Sequence, residues 1–327
     1  MQGQQGNRKW GIVAHLEKQF EVSSVPADTD TISDVDLLMV VHPKGLSEKT
    51  LFAIDQFVLK GGRTIVCVDP HCVADPPNQQ QMMSGGQHDS SSNMPELLKA
   101  WGLEMPAMTF AGDRSLAVTG SPRPAQRPEK ILSIMKLNSA NENFSADNPI
   151  VADLGEVTVV FPGVLKTVAS EEESSALKYD PLLMTTEAGN TWMIEDPYEL
   201  MRPDYGAFMR RFRDGTEPVT VGYMVTGDFK SAFPEGIVVP DDTTGETEEG
   251  DGPETPKVKT LTGLTESSES GAVVVLSDVD FLSDMVAYQR SLFGMSPVGD
   301  NSTLVLNALE NLSGSDRLIS IRSRGSY

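Results

Sequence analysis

The sequence predicts an α/β fold: a mostly parallel, Rossmann-like sheet with a β-rich insertion. Three observations predict it. The near-continuous apolar runs "VDLLMVV" (35–41), "RTIVCVD" (63–69) and "GAVVVLSD" (271–278) read as strands buried on both faces. The first two flank a helical stretch at the spacing of a βαβ unit, which implies parallel pairing and a right-handed crossover. From about residue 105 to 265 the pattern changes to short β-like runs between turn residues.

Each element follows from local chemistry. Trp10, Ile12, Val13, Leu16 and Phe20 recur at helical spacing, so a first helix is predicted over Lys9 to Phe20. "EVSSV" (21–25) reads as a short strand. After the strand at 35–41, Ser47 is placed to cap a helix and Glu48 suits its first turn. Leu51, Ile54 and Val58 line one face of that helix, and Gly61–Gly62 end it. The strand at 63–69 stops at Asp69–Pro70, because proline cannot continue a ladder. Residues 76–94 are polar and low in complexity, and read as a mobile loop. "PELLKAWG" (95–102) is a short helix. "VTVVFPGV", "DPLLMTT", "TWMI" and "PVTVGYMV" supply strands of the inserted region. "PDDTTGETEEGDGPETP" (240–256) carries seven carboxylates and no basic residue, as expected of a solvated acidic loop. After the strand at 271–278, a helix is predicted over Phe281 to Leu292. A stronger one spans 300–314, capped by Asp300 or Asn301 and closed by Gly314. "LISIR" (318–322) reads as a last strand. The expected division is an α/β domain from 1–110 together with 270–327, and a β-rich region from 111–269.

Composition narrows function. The chain has 327 residues, two cysteines and a formal charge of −21. So acidic a surface repels phosphate backbones, which sets nucleic acid aside as a partner. It also disfavours adsorption to anionic lipid. No apolar run approaches the roughly 18 to 20 residues that span a bilayer. Met1 to Asn7 is polar, without the apolar core of a signal peptide, so the chain reads as soluble. Two cysteines make no disulfide framework.

No catalytic signature is present: no G-x-S-x-G, no H-E-x-x-H and no phosphate-binding G-x-x-x-x-G-K-[ST]. "GGRTIVCVDPHC" (61–72) gathers Cys67, Asp69, His71 and Cys72. Cys67 shares a strand face with Ile65 and reads as a small buried residue. C-x₄-C with one histidine is short of the four ligands of a structural zinc site, so no metal and no cofactor is expected. "SDVDFLSD" (277–284) offers Asp278, Asp280 and Asp284, but without the glycine and closing glutamate of an EF-hand; a helix-capping role competes with a cation role. In parallel α/β sheets, ligands bind beyond the carboxyl ends of the strands. His42, Pro43, Asp69, His71, Asp278 and Asp280 fall at such ends. They form a candidate ligand crevice if their strands are neighbours, or caps and turns if not. Arg202, Arg210, Arg211 and Arg213 make the one basic concentration. The sequons at Asn143, Asn301 and Asn311 decide nothing.

"DVDLLMVVHPKGLSEKTLFAIDQFVLKGGRTIVCVDP" resembles the signature block of the GldG-type auxiliary components of ABC transporters, linked to gliding motility. "PELLKAWGLEM", "VTGDFKSAFPEG", "VVVLSDVDFLSD" and "NALENLSGSDRLISIRSRG" continue the resemblance in the same order. The resemblance implies an extracytoplasmic (periplasmic) domain of an inner-membrane protein whose anchoring helices are absent from this chain. It implies an ABC permease and ATPase as partners. It also implies a non-enzymatic role, binding a partner protein or a small-molecule or glycan ligand and coupling it to the permease. The family usually has a strand before the first helix, which Met1–Asn7 does not supply. More remotely, the α/β part resembles the class I glutamine amidotransferase-like fold. An enzyme of that fold acting on an envelope sugar or peptide is the competing reading, although nothing here reads G-x-C-x-G. A purely architectural spacer is the third.

Overall fold

The computed structural model describes residues 9–84, 88–121, 127–168, 176–240, 258–291 and 294–314. The acidic loop (apart from Pro240) and the predicted strand at 318–322 lie outside them.

The central sheet has five strands: β1 (Leu37–Val41), β2 (Arg63–Cys67), β3 (Leu177–Met184), β4 (Thr220–Gly227) and β5 (Gly271–Leu276), in the order β1-β2-β5-β4-β3. β1, β2 and β5 run parallel, with Val41 opposite Cys67 and Cys67 opposite Leu276. β4 and β3 continue the same sheet antiparallel. The architecture is therefore mixed α/β, and the parallel expectation holds for three strands. The two strands drawn from the middle of the chain pair antiparallel instead, β3 with β4 and β4 with β5, although residues 185–219 and 228–270 lie between them.

Apolar layers cover both faces of the sheet. On one, Ile65, Cys67, Val274 and Leu276 meet helix α1 (Gly11–Leu16) and helix α3 (Asn301–Leu312). On the other, Val66, Val68, Val273 and Val275 meet helix α2 (Glu48–Leu59) and Trp101. Residues of β2 thus alternate between the faces as strand geometry requires. Complete burial of each such side chain contributes about 1.5–3 kcal/mol. α2 starts where expected: Ser47 sits at its N-cap and its side chain accepts from the Thr50 N–H. Gly61 follows its end at φ +83°, a conformation that glycine adopts without strain. A second, antiparallel sheet of Ala117–Gly120, Glu129–Asn138 and Glu156–Val160 lies beside the first.

Four local expectations are corrected. β1 is not buried on both faces; among the described residues it is an edge strand of the sheet, with Val41 37% exposed. Residues 21–25 form no strand and are exposed throughout; with serines at the centre and Pro26 after them, they have neither an apolar face nor a partner. The described part of the Phe281–Leu292 span, up to Ser291, is not a helix. A single 3-10 turn (Asp280–Leu282) is followed by a strand, Tyr288–Ser291, paired with Gly294–Pro297. There Asp280 and Asp284 are held by distant backbone (Val73 and Ala74, and Gly11), and these tertiary bonds override the helical pattern. Finally, part of the 76–94 stretch is ordered: Gln79–Ser84 is helical, and Ser90 and Ser92 are buried.

Candidate functional site

The parallel strands bring Asp69, Asp278 and Asp280 together at their carboxyl ends. Asp69 follows β2, Asp278 follows β5, and Asp280 opens the 3-10 turn beyond it. Asp69 and Asp280 are fully buried and Asp278 is 3% exposed. Buried carboxylates need partners, and backbone N–H groups supply them. Asp69 accepts from the His71 N–H at 2.7 Å and the Val279 N–H at 2.8 Å. Asp278 accepts from the Val160 N–H at 2.6 Å and the Phe281 N–H at 3.2 Å. Asp280 accepts from the Val73 and Ala74 N–H groups, both at 2.7 Å. Each aspartate therefore ties its strand end to another segment: Asp69 to the turn after β5, Asp278 to the second sheet, Asp280 to the loop after β2.

Electrostatics opposes three charges so close together. Burial raises the Asp69 carboxyl well above its ordinary range, and the Asp280 charge adds to it. Burial raises Asp278 likewise, reinforced by Asp69 and Asp280. Asp280 is raised by burial against the pull of its N–H donors. The trio thus holds protons that isolated carboxyls would release. Cys67 and Cys72 are free thiols, both buried. Burial first, and the neighbouring aspartates next, push both thiols up, away from the thiolate. One ligand atom each of Asp69, Cys72 and Asp280 lies within 4.8 Å of the others, the one metal-type grouping of this kind among the described residues. All four carboxylate oxygens in it already accept N–H or, from Cys72, S–H donors. The space beside Asp278 is about 10 Å³, lined by Val159, Leu183, Val221, Leu276, Ser277 and Phe281. That is about the room of one water.

His42, Pro43 and His71 sit around this cluster. Pro43 is buried. His71 bonds Ser90 Oγ through Nδ1 at 2.7 Å and meets the Phe161 ring edge-on at 5.2 Å. Burial lowers its pKa to about 4, so it is neutral at physiological pH. His42 leaves β1 at φ +54°, an unusual conformation for a side-chain-bearing residue. Its ring bonds Ser92 Oγ at 3.0 Å and Asp75 Oδ2 at 3.2 Å. Asp75 Oδ2 also meets Lys44 Nζ at 2.5 Å and His88 Nε2 at 3.2 Å. Partial burial opposes ionisation of Asp75, but the Lys44 and His42 bonds outweigh it and lower its pKa. This rim is half-buried and open to solvent. Asp75, Lys44, His88 and Ser92 carry no sequence signal, because 31 to 50 residues separate Lys44 or His42 from its partners in the loop. A larger groove of about 350 Å³ lies between the start of α2 and the hairpin Ile237–Pro240/Val258–Leu261, lined by Asp28, Asp30, Glu48, Lys49 and Lys259 among others.

The family model described as an ABC-type uncharacterized transport system matches residues 1–308. The chain belongs to that family. As a member of the ABC-type transport family, it is an auxiliary component of such a system. No curated protein sequence matches it. Among solved structures, the mmIFT52 N-terminal domain is similar at 10% identity, covering 92% of this chain and 88% of that chain, with a TM-score of 0.43. Among the described residues, no helix of this family member is long and apolar enough to cross a membrane.

Proposed function

We propose that this auxiliary component is a non-enzymatic, extracytoplasmic binding module that engages a partner protein or ligand and couples it to the ABC permease. The observation that carries the proposal is the closure of the strand ends. A catalytic or ligand-binding crevice needs unsatisfied groups facing open space. Here Asp69, Asp278 and Asp280 spend their oxygens on backbone N–H groups, beside a space of about 10 Å³. Perturbed carboxyls alone would favour an enzyme, but they have no room for substrate and no activated thiol beside them. The trio acts as a clasp that joins the two sheets and the loop after β2.

Recognition then belongs to the surface. The rim of His42, Lys44, Asp75 and His88 presents mixed charge beyond the strand ends. The groove beside α2 has the volume of a small-ligand site. The test is affinity purification of the full-length protein from its native membrane. Recovery of an ABC permease and ATPase supports the proposal. Their absence, with the bait intact and abundant, contradicts it.

A further inference from the structure

We propose that the groove between the start of α2 and the hairpin Ile237–Pro240/Val258–Leu261 binds a short basic peptide with free ends, taking up two ammonium groups, one carboxylate and one apolar side chain. The inference rests on the reading of this chain as a binding module, and it names a ligand class for that groove.

The hairpin supplies one part of the lining. Val239 stands opposite Lys259, and Ile237 opposite Leu261. Directly opposed residues share a face of the pair. Ile237 and Val239 pack with Phe52 of α2 on that face. Lys259 and Leu261 are therefore turned toward α2 as well, and both line the groove of about 350 Å³. Val239 and Leu261 give it apolar surface beside the Lys259 ammonium.

The start of α2 and the segment before β1 supply the rest. Asp28 is already engaged: it accepts from Ser47 Oγ at 3.1 Å, and Lys49 Nζ stands 3.9 Å away. Asp30, Glu48 and Lys259 differ. Among the described residues, none of the three side chains takes a hydrogen bond or an ion pair. Two carboxylates and one ammonium thus line a single groove without meeting one another.

That set of charges selects the ligand. Two free carboxylates ask for two cationic groups, and one free ammonium asks for an anionic one. A dipeptide such as Lys-Val carries both: the α-ammonium and Nζ for Asp30 and Glu48, and the terminal carboxylate for Lys259. Its valine meets the apolar surface of the hairpin. An anion alone is disfavoured, because three carboxylates line the groove against two lysines. The formal charge of −21 also draws cations toward the chain. Each exposed pairing changes affinity by only about 1.5- to 5-fold, so the complex is weak and salt-sensitive.

Titration of the chain with Lys-Val, followed by the backbone amide NMR shifts of Lys49 and Lys259, tests the site. The peptide is added up to about 10 mM, ten times a millimolar Kd. Saturable shifts at both residues are expected, and Glu-Val should produce none. Asp30→Asn and Glu48→Gln variants of unchanged melting temperature should each weaken Lys-Val by about 1.5- to 5-fold. Amidating the peptide's carboxylate should weaken binding to the wild type and make no difference to Lys259→Gln. No shift at the highest concentration, Glu-Val binding as tightly as Lys-Val, or an amidation penalty that persists in Lys259→Gln would each overturn the proposal. A chain that recovers its permease and ATPase but binds no peptide overturns this inference alone. Peptide binding without that recovery supports this site and contradicts only the transport reading.

Discussion

Replacing Asp278 by asparagine separates the hydrogen bonds of the clasp from its charge. Asparagine keeps the shape and one acceptor oxygen. It turns an NH₂ group toward either the Val160 or the Phe281 N–H, both of which now bond a carboxylate oxygen. A buried N–H left without its acceptor costs about 1–3 kcal/mol. The charge works in the other direction. A carboxyl whose folded pKa is raised contributes stability that is fully present below its unfolded value. That contribution is lost as pH rises through the folded value. Asp69, Asp278 and Asp280 are all raised. In the window above the unfolded Asp value of about 3.9, each carboxyl that stays protonated only in the fold lowers stability by about 1.4 kcal/mol per pH unit. Asp278→Asn removes one such proton. The variant should therefore be less stable than wild type near pH 5, and the difference should shrink as pH rises through the raised folded value of Asp278. Urea denaturation of both proteins across that range measures it, and contributions common to both cancel. A difference that is constant with pH, or that widens as pH rises, would refute the reasoning.

Three further outcomes follow from the same structure. His71 is held neutral, its pKa lowered from the ordinary 6.5 to about 4, so its contribution, at most about 3 kcal/mol, is present above pH 6.5 and lost as pH falls toward 4; a His71→Gln variant should lose less stability over that interval than wild type, by chemical denaturation. Cys67 and Cys72 are buried with their thiols pushed up, so a thiol reagent should label neither in the native protein and both after denaturation; fast native labelling of Cys72 would contradict the packing. Gly227 ends β4 at φ +134°, and a Cβ there would lie 2.2 Å from Ala176 O, so Gly227→Ala should lower the melting temperature through a shift of about 1–3 kcal/mol, while a neutral result would mean that the β3 edge moves freely.

Much of the frame was legible in the sequence because local signals and tertiary structure agree there. Ser47, the apolar face of α2, and the runs at 63–67 and 271–276 satisfy helix and strand chemistry on their own. The failures share a physical cause. LLMVV is apolar enough for a central strand, yet nothing in its composition says that, among the described residues, it pairs with β2 alone. Phe281–Leu292 has helical spacing, but Asp280 and Asp284 bond backbone some 200 residues or more away, which no local pattern carries. The site divides in the same way. Asp69 and Asp278 were legible as strand-end residues because each closes an apolar run, and Asp280 because it lies two residues beyond Asp278. Their burial was not, since it depends on N–H groups from Val160, Val73 and Ala74. Asp75 and His88 were not legible because they meet His42 and Lys44 only through the fold of the loop after β2.

The account's central claim is that this auxiliary component works by surface recognition while its buried aspartates hold the fold. Quantitative co-purification from native membranes, with full-length wild type and full-length Asp278→Asn side by side, tests it most directly. The account predicts an ABC permease and ATPase with both proteins, in equal yield per folded bait. Loss of both partners from a folded Asp278→Asn bait, or their absence from the wild type, would contradict it.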